Sequence, residues 1–235
     1  MGRSPRAGRP PVVQAGLRLG RELVLSGLGF RAIVGIDEVG RGPLAGPVTA
    51  AAVILDADDL PDGLADSKVL PAEARHEAYR AVSMRARAVG IGFATPAEID
   101  AINIRQATFL AMRRALAALP VAPDYLLVDG RDLPQGGAAP GLPGEAIIKG
   151  DATCASIAAA SIVAKVARDR LMVRHHGHDP RYGFHNHKGY ATAEHRDALK
   201  RHGPSPFHRR SFAPCGPGQG VLFDLVVADE TLPEA

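Results

Sequence analysis

No apolar run in this 235-residue sequence reaches the roughly 18 to 20 residues that a membrane-crossing helix needs. The Arg-bearing stretch Met1 to Arg9 is followed by no sustained apolar segment before Arg18, Arg21 and Glu22, so no secretory leader is expected. Cysteine is scarce: Cys154 and Cys215 lie in different segments with no CxxC pair, which argues against a disulfide framework and a thiolate zinc site. A soluble protein of the reducing cytoplasm, with no membrane partner, is the expectation. Nor is apolar content low. With 46% hydrophobic and 23% charged residues, the chain is neither disordered, collagenous nor coiled-coil over most of its length, and its size suits one α/β domain with appendages.

The formal net charge of +3 conceals an asymmetry. Residues 168–210 carry ten Lys and Arg against four acids, and eight of the nine histidines. Residues 32–167 carry twelve bases against sixteen acids, and the last twenty residues four acids and no base. An acid-bearing body with a basic C-terminal segment suits a polyanion such as nucleic acid, although a solvated helix surface would give the same count.

Short apolar, β-branched runs at Ala32 to Val39 and Val48 to Leu55, separated by a Gly/Pro-rich stretch, predict two strands joined by a tight loop; Val89 to Ala94 predicts a third. Pro71 opens a helix with acids early and arginines late. Helical spacing continues from Pro96 to Leu119, with a break expected near Asn103. Tyr125 to Val128 and Ala146 to Ile148 read as short buried strands. Ala152 to His175 reads as a long helix rich in small residues, Ala191 to Arg201 as a shorter one, and Leu17 to Leu25 as a helical turn. This order implies a mixed α/β sheet flanked by helices, with a helical C-terminal segment.

Acids stand where apolar strands end. Asp37 and Glu38 follow Val34-Gly35-Ile36, Asp129 follows Leu126-Leu127-Val128, and Asp151 follows Ile147-Ile148-Lys149-Gly150. Burying an unpaired carboxylate is costly, and hard oxygen donors of this kind suit Mg²⁺ or Mn²⁺. Taken singly, Asp129 could begin a turn and Asp151 could cap a helix. Two other patterns fail for want of companion ligands at useful spacing: His185-Asn186-His187, and the tract His175, His176, His178. Solvated loop histidines are expected there. Gly40 to Gly46 lacks the GK[ST] ending of a phosphate-binding loop. Arg168 and Asp169 could pair locally on the long helix.

The stretch Gly35-Ile36-Asp37-Glu38-Val39-Gly40-Arg41-Gly42-Pro43-Leu44-Ala45-Gly46-Pro47-Val48 resembles bacterial ribonuclease HII, the type 2 ribonucleases H. So do Asp66-Ser67-Lys68, Val128-Asp129-Gly130, Lys149-Gly150-Asp151, the segment Ala155 to Val166, and His187-Lys188-Gly189-Tyr190. The resemblance runs from about Ala32 to Pro214; Val39 stands where the family has Ala. It implies a ribonuclease H-like catalytic domain over 31–214; outside it, 1–30, with early Arg, Gly and Pro and no clear period, is expected to be a flexible extension and 215–235 a tail. It also implies Mg²⁺- or Mn²⁺-dependent hydrolysis of the RNA strand of RNA/DNA hybrids and cutting 5′ of ribonucleotides embedded in duplex DNA, leaving 3′-hydroxyl and 5′-phosphate ends. Asp37, Glu38, Asp129 and Asp151 are then the catalytic, metal-holding acids. Gly40, Arg41 and Gly42 sense the 2′-hydroxyl, Tyr190 packs on the neighbouring sugar, and Ser67 and Lys68 contact phosphate. From the residues alone, Ser67 and Lys68 could equally be a turn leading into a helix, and Tyr190 an ordinary interface tyrosine. A non-catalytic nucleic-acid-binding protein, or another nuclease on the same fold, is the alternative. Beyond the matching region, Gln219-Gly220-Val221-Leu222-Phe223 resembles the peptides by which bacterial replication proteins dock on the sliding clamp; packing of Leu222 and Phe223 on the domain is the simpler reading.

Overall fold

The computed structural model describes residues 19–64, 67, 70–134 and 141–216. Helix α1 (Gly20–Gly27) precedes strands β1 (Ile33–Val39) and β2 (Val48–Ile54). Helix α2 (Ala72–Arg85), strand β3 (Ala88–Ala94) and helix α3 (Pro96–Ala117) come next, then strands β4 (Tyr125–Asp129) and β5 (Gly144–Ile147). Helices α4 (Ala155–His178), α5 (Phe184–His187) and α6 (Ala193–His202) complete the order. The sheet runs β3-β2-β1-β4-β5, with β1 antiparallel to β2 and parallel to β4, and β4 parallel to β5. The C-terminal ends of β1, β4 and β5 therefore share one edge, so acids distant in sequence can meet there.

Alternation along β1 decides which helix each side chain faces. Val34 and Ile36 enter the core shared with α3, together with Ile99, Phe109 and Met112. Gly35 faces the other way, and a Cβ on it would lie 2.1 Å from the Ser156 carbonyl carbon. Only glycine lets α4 approach this closely, and the alanines of α4 continue the contact along Ala51 and Val53. Asp37, two residues on, shares the face of Gly35.

Helix α3 starts at a capping box: the Glu98 N–H donates to the Thr95 hydroxyl (3.2 Å) and the Thr95 N–H to the Glu98 carboxylate (2.8 Å). The break expected near Asn103 is present as a residue at φ 65° inside the helix. The turn expected near Leu17 to Leu25 is α1, and it is docked: Glu22 accepts from both the Ser156 N–H (2.9 Å) and the Ser156 hydroxyl (2.7 Å).

Of the histidines expected to be solvated loop residues, His187 is instead buried, and His175, His176 and His178 close the long helix α4. His195 and His208 are fully buried and His187 nearly so, beside Tyr182 and Phe184. Their hydrogen bonds admit one set of neutral tautomers. His195 Nδ1–H donates to the Tyr190 carbonyl (2.9 Å), and His195 Nε2 accepts from His208 Nε2–H (3.0 Å). His208 Nδ1 accepts from the Ser205 N–H (3.0 Å). His187 Nε2–H donates to the Tyr182 carbonyl (2.7 Å) while its Nδ1 accepts from the Gly189 N–H (3.1 Å). Sequence spacing concealed this because most of the partners are backbone carbonyls and amides.

Candidate active site

Asp37, Glu38 and Asp129 converge at the shared strand edge. The register Ile36↔Val128 sets the next residues of the two parallel strands, Asp37 and Asp129, side by side. Asp37 is buried, and burial followed by the charges of Glu38 and Asp129 raises its carboxyl well above the usual carboxylate range. Glu38 is raised by burial and by Asp129, with Arg41 opposing at 3.4 Å. These groups resist shedding their protons beside one another, as crowded carboxylates do. Asp129 accepts from the Gly150 N–H at 2.7 Å, which ties the end of β4 to the one-turn helix Gly150–Ala152 that carries the buried Asp151. Asp151 precedes Cys154, the residue that caps α4, so it is not the cap itself.

A hydroxyl chain stands behind Asp37. The Ser161 hydroxyl hydrogen-bonds the Asp37 carboxylate, and the Ser67 hydroxyl lies 2.8 Å from that of Ser161. Because Ser161 donates to the acid, it accepts from Ser67. Ser67 is buried, and its hydroxyl stands behind the acid through Ser161. Lys68 lies outside the described residues. Serine inside the apolar stripe of α4 was the signal that could have pointed to Ser161.

Glu38 and Asp129 line a cleft whose wall includes Arg41, Arg105, Phe109 and Arg131. The guanidinium of Arg105 is held by Asp132 (3.0 Å) and sits 5.0 Å from the Phe109 ring centre. Bases around acids can contact phosphate while metal offsets the carboxylates. Arg105 and Arg131 carry no sequence signal of their own. A roomier cavity of about 400 Å³ lies near the start of β1, lined by Glu22, Phe30 and Ile33, away from these acids.

Gly40, Arg41 and Gly42 begin the loop that leaves β1, with Arg41 and Gly42 exposed. The Leu44 N–H donates to the Gly189 carbonyl (2.8 Å), which brings Tyr190, itself 42% exposed, beside that loop. Asp169, which could have paired with Arg168, accepts instead from Lys165 (2.8 Å), while Arg168 is buried and turned toward the loop. Helical geometry explains the difference, since residues four apart share a face and adjacent ones do not.

Among the described residues, no three carboxylate, imidazole or thiolate groups are gathered tightly enough to hold one metal ion as they stand. The donor set nevertheless fits a hard divalent cation: oxygen ligands only, crowded together, with raised affinity for positive charge.

A five-stranded mixed sheet flanked by helices, with acids at its shared strand edge, defines a ribonuclease H-like protein. The chain belongs to the ribonuclease HII family, whose family model, described as Ribonuclease HII, matches residues 34–215. It is 50% identical over 222 residues to the Ribonuclease HII of Xanthobacter autotrophicus, covering 94% of this chain and 87% of that protein. Among solved structures it is similar to the ribonuclease H2 of Pyrococcus horikoshii OT3, with a TM-score of 0.65 at 24% identity, covering 79% of this chain and 95% of the other. It is also similar to a chain of the PCNA:RNase HII complex from Archaeoglobus fulgidus, with a TM-score of 0.64 at 26% identity, covering 77% and 95%.

Proposed function

We propose that this protein is an endoribonuclease that hydrolyses the RNA strand of RNA/DNA hybrids and cuts 5′ of a ribonucleotide embedded in duplex DNA, leaving 3′-hydroxyl and 5′-phosphate ends. The observation that carries this reading is the meeting of Asp37, Glu38 and Asp129 at one strand edge, beside a Gly-Arg-Gly loop whose Arg41 and Gly42 are exposed and which abuts Tyr190. The family relationship to Ribonuclease HII proteins supports the substrate class.

Asp37, Glu38, Asp129 and Asp151 would hold Mg²⁺ or Mn²⁺. When bound, such ions polarise phosphoryl oxygens and offset charge on attacking and leaving groups. The chain's own residues do the rest. Ser161 and Ser67 orient Asp37, the Gly150 N–H orients Asp129, and Arg41, Arg105 and Arg131 offer cationic contacts to the phosphates that flank the cut. The backbone of Gly40 to Gly42 reads the 2′-hydroxyl, the sugar group that separates RNA from DNA. Tyr190 gives the following sugar an apolar surface. Two free, buried cysteines are in keeping with a cytoplasmic setting.

The test is a labelled DNA duplex with one ribonucleotide, incubated with Mg²⁺ or Mn²⁺. We expect a single cut 5′ of the ribonucleotide, an intact all-DNA control, and slower cutting by Tyr190→Ala. Equal cutting of both duplexes would refute the 2′-hydroxyl reading.

A second reading concerns the tail. Gln219, Leu222 and Phe223 lie outside the described residues, and what favours a sliding-clamp partner is similarity to a chain solved within a PCNA complex. Leu and Phe anchors filling an apolar pocket would supply most of the affinity. A fluorescent peptide spanning Pro217 to Asp229 is expected to bind purified bacterial clamp saturably, and to lose binding when Leu222 and Phe223 become alanine. Binding that ignores the double substitution would exclude this docking mode.

A further inference from the structure

Arg168 and Arg209 head the fully buried large side chains, and neither forms an ion pair among the described residues. An unpaired buried guanidinium is costly unless its donors are met. Here backbone carbonyls meet them. Arg209 donates from Nη2 to Gly40 (2.5 Å), from Nη1 to Arg41 (2.8 Å) and from Nε to Gly46 (3.0 Å). Arg168 donates from Nη2 to Ala45, from Nε to Pro47 and from Nη1 to Lys188, each at 3.0 Å. The fit beneath the loop is close. A Cβ on Gly40, whose φ is +89°, would lie 2.2 Å from Arg168 Nε.

A consequence follows from peptide geometry. In a planar trans peptide the carbonyl of one residue and the N–H of the next point in opposite directions. Since the Gly40 and Arg41 carbonyls face inward to Arg209, the Arg41 and Gly42 N–H groups face outward. Arg168 meanwhile ties the far end of the same loop to Lys188, two residues before Tyr190.

We propose that Arg168 and Arg209 are positioning residues for ribonucleotide selectivity: Arg209 presents the Arg41 and Gly42 N–H groups as a fixed outward donor pair, and Arg168 holds that pair in register with Tyr190. This rests on the reading of the loop as the 2′-hydroxyl sensor. Lysine cannot substitute, because one ammonium lacks the planar fork that reaches three carbonyls at once.

The test compares wild type, Arg168→Lys and Arg209→Lys on duplexes carrying one ribonucleotide or its 2′-fluoro analogue at the same position. Supports one layer behind a working group typically matter by about 10- to 100-fold. We expect kcat/KM on the ribonucleotide to fall by about that factor, chiefly through kcat, and the preference over the 2′-fluoro duplex to shrink with it. Affinity for all-DNA duplex should be unchanged. Folded variants that keep the wild-type preference would overturn the proposal, as would equal losses on both substrates that track a lower melting temperature. If neither variant folds, amide exchange on wild type decides. The Arg41 and Gly42 amides should exchange freely in the free protein and become protected by ribonucleotide-bearing duplex but not by all-DNA duplex; protection in the free protein, or by both duplexes, overturns the proposal. Wild type that fails to cut the ribonucleotide duplex would overturn the activity itself, whereas wild-type cutting with unaltered preference in the variants would overturn this proposal alone.

Discussion

Asp37→Asn is expected to abolish cleavage while making the metal-free protein more stable. Asp37 is buried against Glu38 and Asp129, and its carboxyl is raised well above the ordinary value of 3.8 by burial first and those charges second. A group raised in the folded state costs stability once pH climbs past the unfolded value, because the unfolded chain releases that proton more readily. Asparagine removes the charge and keeps the shape. A gain on the order of 1 kcal/mol would move the melting temperature up by about 2 to 4 °C for a chain of this size. Activity should move the other way. Altering a group that merely orients a metal ligand typically costs 10- to 100-fold, so removing the charge of a ligand itself should cost more than about 100-fold. Paired melting curves with and without Mn²⁺, and a cleavage assay, check both halves. Metal should raise the melting temperature of wild type more than that of the variant. Turnover like wild type in Asp37→Asn would sink the assignment, and a lowered metal-free melting temperature would sink the electrostatic account of the site.

Acidification from pH 7 to pH 5 is expected to remove on the order of 2 to 4 kcal/mol of stability through the buried histidines. Burial, with partial opposition from the Tyr190 carbonyl, holds His195 down to about 4, and burial plus the neighbouring His195 holds His208 down to about 3, against an ordinary value of 6.5. The unfolded chain takes up protons below pH 6.5 that the folded chain refuses, so stability is complete above that value and falls as pH drops toward the folded ones. The two rings share one hydrogen bond and titrate as a pair. Asp37 works in the opposite sense, so the measurement belongs in the Asp37→Asn background. Urea unfolding at pH 7, 6 and 5 should show a steep decline that flattens in His195→Asn, whose amide keeps the donor to Tyr190. An unchanged slope in that variant would place the acid sensitivity elsewhere.

The acids were legible because polar residues ending apolar runs are conspicuous, and parallel pairing of β1 with β4 then brought Asp37 and Asp129 together. The strands and the long helix were legible for the same reason: periodicity reports burial. The strand read as Ala146 to Ile148 lies slightly earlier, at Gly144–Ile147, since edge pairing with β4 sets its limits. What stayed hidden depends on tertiary direction. Arg168 and Arg209 counted as surface charge in the basic segment, yet they serve carbonyls more than a hundred residues away. Ser67 looked like a phosphate contact, and its hydroxyl faces Ser161. Composition assigns such residues to the outside because it cannot register which backbone groups need a donor.

The loop that starts at Gly40 is closed by Arg209, 169 positions later in the chain. Protein synthesis delivers residues from the N-terminus onward. The sheet, all four acids and helix α4 are thus made before the segment that closes this loop. The order of delivery is fixed: Ser161, the last residue that touches the acid-bearing centre, precedes Arg209 by 48 positions. A nascent or prematurely terminated chain can therefore contain every acid and its supporting helix while the loop beside them still lacks Arg209.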